Sequence, residues 1–178
     1  MDNVLSRIFG PIILIIMMLV VPIIWIATGL DNTQRSAVDK IVHDYAAEVK
    51  STGVITKENY DSFLRDLQKT GETYDITVVH KSLIAVPEAG GTYSKAYRSY
   101  GKEDILNYIE GFGADQEPGT ADDTDVQVYK MKQGDFINIT VVSTNGSIGT
   151  RYLDAANGSP IKGIKIKATA GGMIGNTR

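Results

Sequence analysis

Five acidic side chains, Asp115, Glu117, Asp122, Asp123 and Asp125, fall within eleven residues, interleaved with Gly113, Pro118 and Gly119. Several hard oxygen donors on a flexible loop are what calcium takes as ligands, so this stretch is the candidate metal site. Its spacing is not that of an EF-hand, which needs alternating acids around a central glycine, and a solvated acidic loop is the plainer reading. The two histidines, His43 and His80, lack the i,i+4 partner or the HExxH frame of a metal site. His43 stands beside Asp44 on a helical stretch and His80 ends a strand; both are read as surface or interface residues. There is no GxSxG elbow, no GxxxxGK[ST] phosphate loop and no GxGxxG turn. With no cysteine in the chain, thiol catalysis, disulfides, Cys-ligated zinc and iron–sulfur clusters are excluded as well. The expectation is a protein that is not an enzyme, with no small-molecule substrate and no cofactor unless the acidic loop holds calcium.

A second group is aromatic. The chain has nine Tyr against four Phe and one Trp. Tyr93, Tyr97, Tyr100 and Tyr108 cluster among Lys95, Arg98 and Lys102. Tyrosine offers area and a hydroxyl and suits protein contacts, so an interface and the packing of a loop on its own sheet stand as equal readings. A base-stacking surface has the same composition, but a net charge of −3 argues against a nucleic-acid partner. Asn138, Asn145 and Asn157 each open an N-x-[ST] triplet, and the last two are also Asn-Gly turn dipeptides.

These groups must be carried by a chain of 178 residues, enough for one domain and a short extra element. From Ile8 to Leu30 there are twenty-three residues without a charge, a helix of roughly 34 Å, where a bilayer core needs about 20 residues. Pro11 is tolerable near a helix start and Pro22 should kink the helix. A signal peptide cut at Leu30, after Ala27 and Gly29, is the alternative, but its apolar core would be longer than usual. The adopted reading is an anchor at residues 1–30, single-pass in the cell membrane, followed by one extracytoplasmic domain at 31–178. The domain is placed outside because of the short leading tail, the absence of cysteine and the Gly/Asn/Thr/Ser-rich strands and loops.

Beyond the anchor, Val38, Ile41, Val42, Tyr45 and Val49 recur at three- and four-residue steps, which predicts an amphipathic helix over Asn32–Lys50 stopped by Gly53. Thr56 is the N-cap of a second helix, Lys57–Lys69, with a Tyr60, Phe63, Leu64 and Leu67 stripe closed by Gly71. Tyr74–His80 reads as a strand and Lys81–Gly101 as a long connection. Lys102–Glu110 reads as a helix carrying Ile105, Leu106 and Ile109. Val126–Lys132, Phe136–Ser143 and Ile161–Ala170 alternate as strands, the first two joined by a tight hairpin at Gln133-Gly134-Asp135. The predicted class is α+β: a transmembrane helix continuing into an amphipathic one, packed on a small antiparallel sheet. Along that helix Ile12, Ile16, Val20, Trp25, Val38, Ile41, Val42, Tyr45 and Val49 are the membrane and assembly residues.

The short tail, the single apolar helix and the small sheet together resemble type IV pilin-like and pseudopilin-like proteins. The phrases STGVITKENYDSFLRDLQKTGETYDITVVH (Ser51–His80) and KQGDFINITVV (Lys132–Val142) are similar to pilin-like proteins encoded near Tad-type pilus or secretion systems of Gram-positive bacteria. The resemblance implies a structural subunit that associates with itself or with other pilin-like subunits, in the membrane or in a surface filament. One departure bears on its role. Prepilins are cut after a Gly that is followed by a Glu five residues on. Here Gly10 precedes Pro11 and Ile12–Ile16 holds no acid, which implies an uncut, minor or accessory subunit.

Overall fold

The computed structural model describes residues 2–88, 91–111, 128–147 and 165–175, with side chains throughout except at 2–8, 23–24 and 27–28. The three- and four-residue apolar spacing does form a helix, and it joins the apolar run without a break: α1 spans Asp2–Thr52, through both Pro11 and Pro22. Gly53 ends it at φ 68°, a conformation a side chain resists. A short strand β1 (Val54–Ile55) leads to α2 (Lys57–Gln68). The start of α2 is a reciprocal cap: Thr56 Oγ1 accepts from Asn59 N (3.2 Å) and Asn59 Oδ1 accepts from Thr56 N (3.0 Å). Then follow β2 (Tyr74–Pro87), β3 (Tyr93–Tyr100), α3 (Lys102–Glu110), β4 (Tyr129–Lys130), β5 (Phe136–Ser143) and β6 (Lys167–Met173).

The fold is α+β with antiparallel sheets. Four strands lie in the order β3-β2-β5-β6, and β1 pairs with β4 in a separate two-stranded sheet. One face of the larger sheet is buried because its strands alternate. Ile76 and Val78 of β2, Ile137, Ile139 and Val141 of β5, and Ala168 and Ala170 of β6 all point into the core. α1 lies across that face, chiefly on β6 and then β5. The small Ala168 and Ala170 leave room for Val38, Val42, Ala46 and Val49, none of which retains any exposure. α2 closes the other side of α1, with the Tyr45 and Phe63 rings stacked at 4.3 Å. Removing the rings from water pushes the Tyr45 hydroxyl above its ordinary value, aided by Tyr60, and pushes Tyr60 up to about 12, aided by Asp61.

Three sequence-based expectations need correction. Lys81–Gly101 is not a connection. β2 runs on to Pro87, and β3 returns beside it from Pro87↔Tyr93 to His80↔Tyr100. The extension was hidden because Leu83, Ile84 and Val86 on β2 and Tyr93 and Tyr97 on β3 are exposed on both faces, so no alternation marks a buried side. Gln133-Gly134-Asp135 does turn, with Gly134 at φ 90° and Asp135 N donating to Lys132 O at 3.0 Å. It is not a β4–β5 hairpin, since β4 pairs with β1. Finally, the last strand is shifted within the described residues: of Ile161–Ala170, residues 161–164 lie outside them, 165–166 are not strand, and β6 begins at Lys167 and continues through Gly171 and Gly172, two residues with low strand preference.

Among the described residues, no helix is long and apolar enough to cross a membrane. The side chains of the apolar half of α1 are described over Phe9–Pro22 and at 25–26 and 29–30. All of its large apolar side chains, from Phe9 to Val21, are exposed.

Candidate functional site

The acidic stretch Asp115, Glu117, Asp122, Asp123 and Asp125 lies outside the described residues. Among the described residues no group of three or more His, Asp or Glu side chains is placed to hold a metal ion. The residues expected from the sequence to serve the membrane and assembly divide in two. Ile12, Ile16, Val20 and Trp25 are exposed, Trp25 at 78%. Val38, Val42, Tyr45 and Val49 are inside the domain core, so they pack α1 on the sheet and on α2 and are not available to a neighbour. Ile41 is half-buried in a groove between α1 and α2.

The tyrosine cluster is also split. Tyr93 and Tyr97 lie on the β2–β3 hairpin, Tyr97 meeting Phe136 edge-on at 6.1 Å. Tyr100 and Tyr108 instead face a cavity of about 750 Å³ that they share with His80, Ser82, Tyr129 and Asp135. His43 conforms to expectation: it is exposed, with Nδ1 2.8 Å from the Asp39 carbonyl oxygen of its own helix.

His80 does not. It was expected as a surface or interface residue, yet it is only 3% exposed, buried within its own domain. The cause is parity. Ile76 and Val78 face the core, and His80 is the next residue on the same side of β2. A histidine there must satisfy two ring nitrogens away from water. Nε2 lies 3.0 Å from Asp135 Oδ2 and Nδ1 lies 2.7 Å from Tyr129 Oη. Asp135 was seen in the sequence only as a turn residue. It is 2% exposed and anchors the whole cluster. Its Oδ1 accepts from Leu83 N (3.0 Å) and Ser82 Oγ (3.2 Å), and its Oδ2 accepts from Lys132 N (2.9 Å) as well as facing His80.

Burial alone would raise the Asp135 carboxyl, but the Lys132 and Leu83 N–H groups and His80 outweigh it and hold the group below its ordinary value. Asp135 is therefore an ionised acceptor. It follows that Nε2 of His80 carries a proton, and that Nδ1 accepts from the Tyr129 hydroxyl when the ring is neutral. The Tyr129 hydroxyl is pushed well above its ordinary value, by burial first and by Tyr100 and Asp104 next. An orienting carboxylate, an imidazole and a phenol in series have the order of an orienter, a base and a nucleophile. The raised phenol, however, makes Tyr129 a poor nucleophile, and the same bonds have an evident structural use. His80 and Ser82 belong to the large sheet, Tyr129 to the small one, and Asp135 to the turn between them.

The walls of the cavity support this clasp. Tyr100 stacks on His80 at 5.5 Å, Arg98 lies 5.4 Å from the Tyr100 ring centre, and Tyr108 meets Tyr129 edge-on at 5.6 Å. Comparison of the chain with protein-family models, with curated proteins and with solved structures gives no match.

Proposed function

We propose that the chain is a membrane-anchored, pilin-like structural subunit of a pilus or secretion-system filament, in a minor or accessory position. In this reading it is single-pass in the cell membrane with its C-terminal domain outside. Its partners are the membrane, other copies and other pilin-like subunits, and it has no catalytic role. The observation that carries the reading is α1. One helix joins an apolar, exposed half to a half sheathed by sheet and by α2. The uncharged run Ile8–Leu30 supplies the length that a span of about 20 residues needs. Single-span helices gain by packing against neighbours, so such an anchor favours association. Gly10-Pro11 and the missing acid in Ile12–Ile16 favour an uncut subunit.

The test is intact mass together with fractionation. Full-length mass retained in alkaline-washed membranes, and lost from them in Ile16→Asp, is the expected result. A soluble native form beginning near Leu30 would overturn it. A second reading, an anchored extracytoplasmic binding module, is favoured by the aromatic-walled cavity beside His80 and Asp135. It requires calorimetric heat on titration with calcium, or a protein retained by the cavity and lost in Tyr108→Ala.

A further inference from the structure

The two ends of the folded domain differ, and the β2–β3 hairpin marks one of them. Ser147 Oγ donates to Asp31 Oδ2 at 2.8 Å, so the end of β5 lies by the start of the domain half of α1. Gly175 N donates to Lys50 O at 3.1 Å, and Phe136 pairs with Met173, so the start of β5 lies by the end of α1. From Asp31 to Lys50 the helix rises about 28 Å. β2 pairs with β5 only as far as Lys81↔Phe136, whereas its pairing with β3 continues to Pro87↔Tyr93. A two-stranded ribbon therefore projects beyond the sheet from the Lys50 end. A ribbon of two strands is marginally stable without cover. Leu83, Ile84, Val86, Tyr93 and Tyr97 are nonetheless exposed on it, Tyr97 at 56%. Apolar and aromatic side chains gathered in this way mark a contact surface. Its charge is one-sided: between Lys81 and Tyr100 the ribbon carries Lys81, Lys95 and Arg98 against Glu88 alone.

The other end carries a complement. α1 and α2 enclose an open groove of about 440 Å³ lined by Leu30, Thr33, Ala37 and Ile41, with the Asp66–Lys69 ion pair on its rim. At the turn of an α-helix, Leu30, Ala37, Ile41, Asp44 and Glu48 fall on one stripe. The groove thus runs into two exposed carboxylates, with Lys40 3.8 Å from Asp44 as the nearby cation.

We propose that the β2–β3 ribbon of one copy seats in the α1–α2 groove of a second copy, with Lys95 meeting Asp44 or Glu48 beyond the apolar contact. The inference rests on the self-association read above and names its surface. The apolar groove lies at the end opposite the ribbon, so one molecule cannot seat its own ribbon there, although Asp44 and Glu48 extend the stripe back towards the Lys50 end. The contact is heterologous and propagates head to tail. Copies standing level in one bilayer hold the two surfaces at different heights. The contact therefore belongs to copies displaced along the long axis of the domain.

The absence of cysteine gives a direct test. Full-length protein in detergent carries Ala85→Cys on the ribbon in one preparation and Ala37→Cys at the groove in another. Both alanines are exposed. Each preparation is treated with a flexible bis-maleimide, alone and mixed. The expected result is a covalent dimer at least about tenfold more abundant in the mixture than in either variant alone. Lys95→Glu on the ribbon copy should reduce it, and Asp44→Lys on the groove copy should restore it. Dimers of either variant alone at the level of the mixture would overturn the proposal, as would no dimer in the mixture from protein of native circular dichroism. Failure of the anchor reading would show separately, as loss of the alkaline-resistant membrane fraction with the cross-link unchanged.

Discussion

Within one continuous helix, the residues before and after Leu30 treat apolar surface in opposite ways. From Phe9 to Val21 every large apolar side chain is exposed. From Val38 to Val49 four apolar positions on one face lose all contact with solvent. Backbone conformation is common to both halves and cannot account for the difference. The pattern of polar residues can. The first half is apolar around its whole circumference and suits a surrounding that is apolar on every side. The second is striped by Arg35, Lys40, Asp44 and Glu48, so only one face needs cover and a small sheet suffices. In the proposed reading the helix is thus one element with two solvents, and the strongest predictions come from placing the same change in each half.

An aspartate separates the halves most sharply. Val42→Asp puts an unpaired carboxyl into the closed α1–sheet contact and should cost about 4 kcal/mol or more. Loss of the cooperative thermal transition in circular dichroism is the expected readout. Ile16→Asp should leave the unfolding midpoint of the domain within error while abolishing membrane retention. Equal effects of the two changes on stability would break the comparison.

Next in size is the close approach of β6 to β5. A β-carbon at Gly171 would meet the Ile137 carbonyl oxygen and the Asn138 backbone. Gly171→Ala should therefore part β5 from β6 and cost about 3 kcal/mol, read as a fall in denaturation midpoint. No such penalty attends Gly10→Ala or Gly29→Ala in the apolar half, where nothing lies near the added carbon.

The clasp at Asp135 sharpens the comparison differently, because it is a polar centre in the sheathed region. Asp135→Ala leaves the Leu83 and Lys132 N–H groups and His80 without their acceptor, at a cost of about 3 kcal/mol. The folded-state value of Asp135 is depressed, so its stabilisation is present above the unfolded-state value of about 4 and is lost as pH falls through the folded-state value. The gap in melting temperature between native protein and Asp135→Asn should therefore be full at pH 7 and narrow below about pH 4. A gap constant down to pH 2 would contradict the ionised acceptor. The smallest effect is at the α2 cap, where Thr56→Ala should cost about 1 kcal/mol by chemical denaturation.

How far the sequence discloses this fold depends on whether a segment has one wet face. α2 was legible nearly residue for residue, since Thr56 caps it and Tyr60, Phe63 and Leu67 form one stripe. β5 was legible to the residue because Ile137, Ile139 and Val141 alternate with wet neighbours. The ribbon was not, because both its faces are exposed and periodicity reports only asymmetry. The pairing of β4 with β1 was hidden for another reason: two-residue strands carry no pattern, and a turn names a bend but not the partner beyond it. At the candidate site, the parity of Ile76 and Val78 already put His80 on the buried side. Its acceptor, fifty-five positions on, has no local signal, since Asp135 in Gln-Gly-Asp reads as turn chemistry.

The central claim, one helix in two solvents, is tested most directly by single cysteines placed in turn from Ile12 to Lys50 of the otherwise cysteine-free chain. Each variant would be labelled with a water-soluble maleimide in intact membranes. The account predicts no labelling from Ile12 to Ile26. It then predicts labelling that follows the helical turn, strong at Ala37, Asp44 and Ala47 and absent at Val38, Val42 and Val49. Labelling at Ile12, Ile16 and Val20 as strong as at Ala47 would contradict it.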